Sequence, residues 1–438
     1  MAYADDMLVF LSDPSKWDSL QRLYSVYANA SNSRLNVQKT ELISLSGHPW
    51  RQWSSTCQDS GASWHDKHSA TVVKYLGYPI YSSKAQLRAF WDVCTINVER
   101  QCQALKERRL TIRGTSLLCN SVILASLWHL LRITPIPESW IAPVRSIIRQ
   151  FVMPFSPAPA WSTATLPRSQ GGLGVLDIRT QQIALQIRLA QRVVATTPES
   201  NDTLAKLVQG MWLRCFGQSS VWEAPDQPSR RLPPPSKSWV SRLSLVRAVF
   251  THTPNWVSLP NRKVGLFRPN GKFVPFEKLA PKDIRRNMVT SQAAYTSSKD
   301  HPRLNRPPKD WLAIWSLPFA TPAITIWWRL LHSKIPSRHH LRKHGRPLKD
   351  DYCLFCPLVP ETDFHLLITC PAKNAIWSCA LPDSDTAEIQ LNTLYFSLTT
   401  SFPYFNKTLL YLSIASQHDK LLHFSTACYY RSSVDILI

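Results

Sequence analysis

Apolar residues at Leu87, Trp91, Cys94, Val98, Cys102 and Leu105 return every three or four positions, the period of one buried helix face. Upstream, the short run Met7-Leu8-Val9-Phe10 reads as a strand. The segment Leu35-Asn36-Val37-Gln38-Lys39-Thr40-Glu41-Leu42 reads as a helix end followed by a short strand, and Lys74-Tyr75-Leu76-Gly77 opens another strand. After the helical stripe, a turn at Leu110-Thr111-Ile112-Arg113-Gly114 leads into a second apolar helix that stops at Pro135-Ile136-Pro137. Within that helix Leu117 to Ile133 is interrupted by Asn120, Ser121, Ser126, His129 and Arg132, which predicts a packed amphipathic helix. No uninterrupted apolar run is long enough to span a bilayer.

Further on, the pattern turns to punctuation. Gly171-Gly172-Leu173-Gly174 lacks the spacing of either phosphate-binding fingerprint, so a structural turn is expected there. Five prolines fall between Pro225 and Pro235, which favours an extended linker over a helix or a central strand. A small hairpin is expected around Gly265 to Phe273. Trp311 and Trp315, a helix start at Thr321-Pro322, and the stripe Ile324, Trp327, Trp328 and Leu331 follow, and these tryptophans are expected in a core.

Charge sharpens the picture. The 438 residues carry 51 Lys and Arg against 29 Asp and Glu, a formal net charge of +22. Such a field draws phosphate backbones by counterion release, without regard to base sequence. Anionic membranes and other anionic surfaces would feel the same attraction. Hydrophobic residues at 44% suffice for sizeable cores. Ten cysteines dispersed over this length do not form a secreted disulfide framework, and no signal peptide precedes the first motif. A reducing intracellular setting, nucleus or cytoplasm and not secreted, is the expectation.

Two clusters bear chemistry. The first is Tyr3-Ala4-Asp5-Asp6 ahead of the apolar run. Neighbouring side chains on a strand point to opposite faces, so two adjacent carboxylates serve one site only where the strand turns. Carboxylates so placed suit Mg²⁺, although a solvated turn fits the bare tetrapeptide as well. The second is Cys353-Leu354-Phe355-Cys356, followed after eight residues by His365 and after four more by Cys370. Four sulfur and nitrogen donors at this spacing suit a closed tetrahedral Zn²⁺ site with a structural role. A redox pair at Cys353 and Cys356 is the alternative, though the strand and helix pattern that would accompany it is missing.

Taken together these segments resemble the carboxyl-terminal portion of a non-LTR (LINE-type) retrotransposon reverse transcriptase. The Tyr-Ala-Asp-Asp turn, the Lys39 segment and the Lys74-Tyr75-Leu76-Gly77 segment follow the order of that family's palm. The helix pair resembles its thumb. Glu361-Thr362, His365, Cys370-Pro371 and Ile376-Trp377 match its zinc-binding domain. The resemblance implies an α+β, mainly α chain containing the remnant of a right-hand polymerase palm. It gives Asp5 and Asp6 the Mg²⁺, and Lys39 a part in protonating the departing pyrophosphate, where an exposed loop lysine is the plainer reading. Residues Lys74, Tyr75, Leu76 and Gly77 would steady the primer end. Lys106, Arg108, Arg109 and Arg113 would contact phosphates from the thumb, although a solvated basic face accounts for them equally. Arg338, Arg342 and Lys343, on a basic helix from Ser337 to Gly345, are the nucleic-acid contacts expected beside the zinc.

The organisation that follows is the end of the palm over 1–82, thumb-like helices over 83–155, a post-thumb helical region over 156–224 and a Pro-rich basic connector over 225–308. The zinc-binding domain over 309–381 and a tail over 382–438 complete it. The expected partners are RNA and DNA, with no membrane. The family's palm starts far upstream of its catalytic turn and supplies a further metal-binding Asp there, so this chain is expected to lack the fingers and the first half of the palm and not to polymerise alone. A non-catalytic zinc-containing nucleic-acid binder, or an inactive relic, is the alternative. An endonuclease after the zinc motif is not expected, because no acidic residue stands between Glu388 and Asp419. The tail is also too short and too poor in carboxylates for a ribonuclease H domain.

Overall fold

The computed structural model describes residues 2–3, 6–108, 110–134, 136–195, 199, 201–203, 206, 257–258, 264–268, 270–296, 308–316 and 321–373. Helices dominate these residues and the strands are short, in keeping with an α+β, mainly α chain. Asp5, Arg109, the Pro225–Pro235 stretch, Ile376-Trp377 and the tail lie outside the described residues. The chain divides into two compact units, Met1–Asn97 with Ile136–Trp140, and Val98–Pro135 with Ile141–Ile438.

In the first unit, β1 (Ala2–Tyr3) pairs antiparallel with β2 (Asp6–Met7), placing Tyr3 opposite Asp6. Helix α1 (Ser15–Ser31) starts after Pro14, with the Ser15 amide donating to Asp13 Oδ1 at 3.0 Å, and ends at left-handed Asn32. A 3-10 turn, Val37–Lys39, is capped by the Asn36 side chain and leads into β3 (Glu41–Ile43), so the expected helical end and strand are both present. Strand β3 runs parallel to β4 (Ser63–His65), and α2 (Arg51–Ser60) makes the crossover that a parallel pair requires. Next, β5 (Val73–Tyr75) and β6 (Tyr78–Ile80) form a hairpin whose central residues Leu76 and Gly77 have φ of 49° and 81°. Two positive φ values in a two-residue connection match the twist of paired strands.

Helix α3 (Lys84–Lys106) follows, and its start is a capping box. The Gln86 amide donates to Ser83 Oγ at 3.2 Å while Gln86 Oε1 accepts from the Ser83 amide at 3.1 Å. The same glutamine donates from Nε2 to the Asp66 carbonyl at 2.6 Å, tying the helix start to the β4–β5 connection. Along α3, Trp91, Cys94, Val98 and Cys102 are buried, as the apolar period requires. Trp140 Nε1 donates to the Trp91 carbonyl at 2.8 Å and to Thr95 Oγ1 at 2.7 Å.

In the second unit, α4 (Ile112–Leu118), a π-helical turn (Cys119–Ile123) and α5 (Ala125–Leu131) form one helical run. The Thr111 side chain caps it through the Gly114 amide, so the expected turn at 110–114 is in part the first turn of this helix. By length and composition Ile112–Leu131 would cross a bilayer, yet Cys119, Ile123, Leu124, Leu127 and Leu131 are buried in the unit. After α6 (Glu138–Val152) and α7 (Trp161–Thr165) comes α8 (Ile178–Val194), on which α5 packs. Asn120 breaks the apolar pattern for a reason. Its Nδ2 donates to the Gly174 carbonyl at 2.8 Å and its Oδ1 accepts from the Leu176 amide at 2.9 Å, so one side chain clamps the chain where it leaves the Gly-Gly-Leu-Gly turn.

That turn packs too tightly for side chains. A Cβ on Gly172 would stand 2.0 Å from the Leu166 carbonyl oxygen, and one on Gly171, already at φ +82°, would strike the Trp311 ring at 2.6 Å. A three-stranded antiparallel sheet orders β7 (Val257–Ser258), β8 (Val264–Phe267) and β9 (Phe273–Pro275), and its β8–β9 arm is the hairpin expected around Gly265 to Phe273. Helix α9 (Pro281–Thr296) packs on α8. Helices α10 (Pro308–Ser316) and α11 (Thr321–Leu331) bury Trp311, Trp315 and Trp328, so these tryptophans are core. The short basic helix α12 (Arg338–Lys343) leads toward the zinc motif.

Candidate metal centre and nucleic-acid interface

Cys353 sits in a tight loop closed by a bridge between Tyr352 and Pro360 and by the Cys353 amide donating to the Val359 carbonyl at 3.1 Å. Its sulfur accepts from the Phe355 amide at 3.4 Å, which stabilises negative charge on sulfur and turns the chain so that Cys356 faces the same space. The other two donors come from a π-helical turn, His365–Thr369, closed by the Cys370 amide donating to the His365 carbonyl at 3.2 Å. This geometry explains the four-residue gap. In an α-helix positions five apart diverge by about 140° around the axis, whereas a wider π turn brings them to about 50°.

The donor atoms of Cys353, Cys356, His365 and Cys370 all lie within 4.8 Å of one another. Cys353 and Cys370 sulfurs are 3.8 Å apart, and Cys356 Sγ is 3.1 Å from His365 Nε2. Four ligands around zinc with Zn–S near 2.3 Å place sulfurs about 3.8 Å apart on a tetrahedral edge, so the residues fit the ion. His365 turns Nε2 to the sulfurs and Nδ1 to Thr369 Oγ1 at 3.4 Å, the outer contact that orients a metal-binding imidazole. Burial, aided by the neighbouring Cys353, pushes the Cys370 thiol up to about 12. Such a thiol stays protonated by itself, and a bound metal would displace its proton and make three adjacent thiolates tolerable. With all four positions filled by protein the site is closed, which makes zinc structural here.

The basic helix is joined to this loop through acids. Buried Glu361 accepts the Arg338 amide on Oε1 at 2.9 Å, and its own amide donates to the Asp351 carbonyl at 2.7 Å. Arg338 Nη2 donates to Asp350 Oδ1 at 2.9 Å. Asp351 takes His339 Nδ1 at 2.8 Å and Arg342 Nη1 at 3.3 Å. Hydrogen bonding from Arg338 holds the Asp350 carboxyl below its ordinary range, and His339, then the Arg342 charge, do the same for Asp351. Of the three expected nucleic-acid contacts, Arg338 and Arg342 are thus occupied by aspartates. Lys343 is exposed and, among the described residues, takes part in no ion pair.

Other expected residues are dispersed. Lys39 is exposed at the end of its 3-10 turn. Lys74 Nζ stands 5.8 Å from the Phe90 ring centroid, and Leu76-Gly77 is the hairpin tip. Lys106 and Arg108 are exposed at the end of α3. Arg113 Nη1 donates to the Trp315 carbonyl at 2.9 Å, a packing contact inside the second unit. Beside it Arg168 Nη2 reaches Ser116 Oγ at 3.2 Å, its guanidinium pushed below its ordinary range by burial and then by Arg113. Sequence reading missed Arg168 and Asp351, and it found Glu361 only as part of the zinc-domain pattern, not as an anchor of the basic helix. The only signal for Asp351 was its place beside a basic helix and a Cys-x2-Cys.

Residues 290–377 match the protein family described as zinc-binding in reverse transcriptase. This region is a reverse transcriptase zinc-binding domain. Its match spans the Trp-rich helices, all four metal donors and the closing Ile376-Trp377. The chain is also similar to the transposon TX1 uncharacterized 149 kDa protein of Xenopus laevis, 24% identical over 204 residues, which is 45% of this chain and 15% of that protein. Both similarities agree with the likeness to non-LTR reverse transcriptases read from the motifs.

Proposed function

We propose that this chain serves RNA-directed DNA synthesis by a non-LTR retrotransposon, supplying the end of the palm, the thumb and a zinc-bearing grip on nucleic acid. The observation that carries this reading is the closed cluster of Cys353, Cys356, His365 and Cys370 inside a reverse transcriptase zinc-binding domain. Asp5 and Asp6 would hold Mg²⁺, an ion that would supply charge neutralisation for nucleotidyl transfer. Lys39 would deliver a proton to the departing pyrophosphate, and the hairpin of Lys74, Tyr75, Leu76 and Gly77 would steady the primer end. Lys106, Arg108 and Arg109 would hold the duplex backbone. The +22 charge supports the nucleic-acid part of this reading.

Binding of the 438-residue chain to labelled RNA and DNA across a salt series tests the grip. Affinity should fall steeply with salt, and no binding at low salt overturns the reading. Primer extension with Mg²⁺ or Mn²⁺ tests catalysis. Growth of primer that Asp5→Ala abolishes assigns synthesis to this chain, whereas salt-dependent binding without growth favours the second reading, a zinc-bearing binder that acts without catalysis.

A further inference from the structure

The zinc loop presents an apolar surface to solvent. Tyr352 is 47% exposed, Phe355 42%, Leu354 56% and Leu358 73%, all within seven residues of sequence around two metal donors. Elsewhere in this domain Trp311, Trp315 and Trp328 are buried. Small loops expose several adjacent large apolar side chains when a partner covers them. The zinc cage and the Tyr352–Pro360 bridge would fix the backbone that carries these side chains before any partner arrives.

The chemistry around the loop selects that partner. Lys343, Arg346 and Lys349 are exposed on the helix end and the strap leading directly into Tyr352 and, among the described residues, enter no ion pair. The strap is tied to the loop by the Tyr352 amide donating to Asp350 Oδ1 at 3.2 Å. Exposed aromatic residues close in sequence to exposed cations match a strand that offers flat bases and phosphates together. A duplex shows phosphates but keeps its bases stacked, and an apolar protein face would leave the cations unanswered.

We infer that Tyr352 and Phe355 form a stacking platform for unpaired bases, with Lys343, Arg346 and Lys349 holding the flanking phosphates, so that the zinc loop is a single-strand-selective site. This rests on the nucleic-acid-binding reading above and adds to it the form of nucleic acid and the residues that choose it. Base stacking on an aromatic ring tolerates any sequence. The platform therefore reads strandedness and not base identity.

The test compares binding of one 20-mer as single strand and as duplex to the full chain, by fluorescence anisotropy at fixed salt. The variants are Tyr352→Leu with Phe355→Leu, which keep apolar bulk and remove the π faces, and Tyr352→Phe, which keeps the ring. The leucine pair should weaken single-strand binding by about 10- to 100-fold and duplex binding by less than about twofold, with zinc content unchanged. Tyr352→Phe should bind as the parent does. Equal loss on both forms, or no loss on the single strand, overturns the platform while leaving the general grip intact. Failure of the parent chain to bind either form overturns the underlying reading instead. Should the leucine pair lose zinc, Lys343→Ala with Lys349→Ala decides: weakening on the single strand supports the site, and unchanged affinity overturns it.

Discussion

Trp328 Nε1 donates to the Gly171 carbonyl at 2.9 Å across 157 residues of sequence. His332 Nε2 reaches the same oxygen at 2.8 Å, and because a carbonyl only accepts, that nitrogen carries the proton. Gly171 thus anchors the Trp-rich helix to the Gly-Gly-Leu-Gly turn. Gly172→Ala should be severely destabilising, by about 3 kcal/mol or more, because its Cβ meets backbone that cannot give way. Gly174→Ala, with its nearest neighbour at 4.0 Å, should cost only the left-handed backbone, about 1–2 kcal/mol. Chemical denaturation of both variants decides, and equal losses would sink the steric argument.

Asp283 sits within the first turn of α9 and is fully engaged. Arg268 Nε and Nη2 donate to its two oxygens at 2.9 and 3.0 Å, and the Ala280 amide donates at 3.2 Å. Hydrogen bonding from Arg268 lowers its pKa against the cost of burial. A depressed folded-state carboxylate contributes stability above the unfolded value, near 3.9, and loses it as pH falls below that. Asp283→Asn should cost about 1–2 kcal/mol at neutral pH, with a difference from the parent that shrinks as pH falls from about 4. Melting curves across that range test it, and a pH-independent difference would show that charge is irrelevant there.

Much of this was legible before the fold was known, where the signal was local. The α3 stripe is a helical period, and Cys353, Cys356, His365 and Cys370 are a spacing. Contacts such as Arg113 with Trp315, 202 residues apart, leave no periodic trace, so Arg113 read as a basic surface residue. Arg338 and Arg342 have aspartate partners that the sequence did not reveal. Their aspartate partners are only 12 and 9 residues away, but counting charge along a helix does not reveal which cations are already paired.

Asp351 therefore restrains the basic helix. Asp351→Asn should release Arg342 and His339, raise RNA affinity at low salt by about two- to fivefold, and steepen the salt slope by about 1. A filter-binding series at several salt concentrations would read both. Unchanged affinity would mean that the pair persists outside nucleic-acid contact or faces away from it.

Zinc should be integral to the domain's stability. Protein purified without chelator should carry close to one zinc per chain, and Cys370→Ser should lose most of it and lower the melting temperature. Elemental analysis with thermal melts before and after chelation gives the answer. Full metal retention in Cys370→Ser would remove Cys370 from the ligand set.

The π turn from His365 to Thr369 also sets which changes in chain length the zinc loop can absorb. Deleting one residue between His365 and Cys370 would leave an ordinary α-turn, where positions four apart lie about 40° from each other, and both donors would still face the ion. Inserting one would send Cys370 about a third of a turn around the axis, out of reach. Tolerance to indels here is one-sided: the segment can shorten by a residue and keep its metal, but it cannot lengthen.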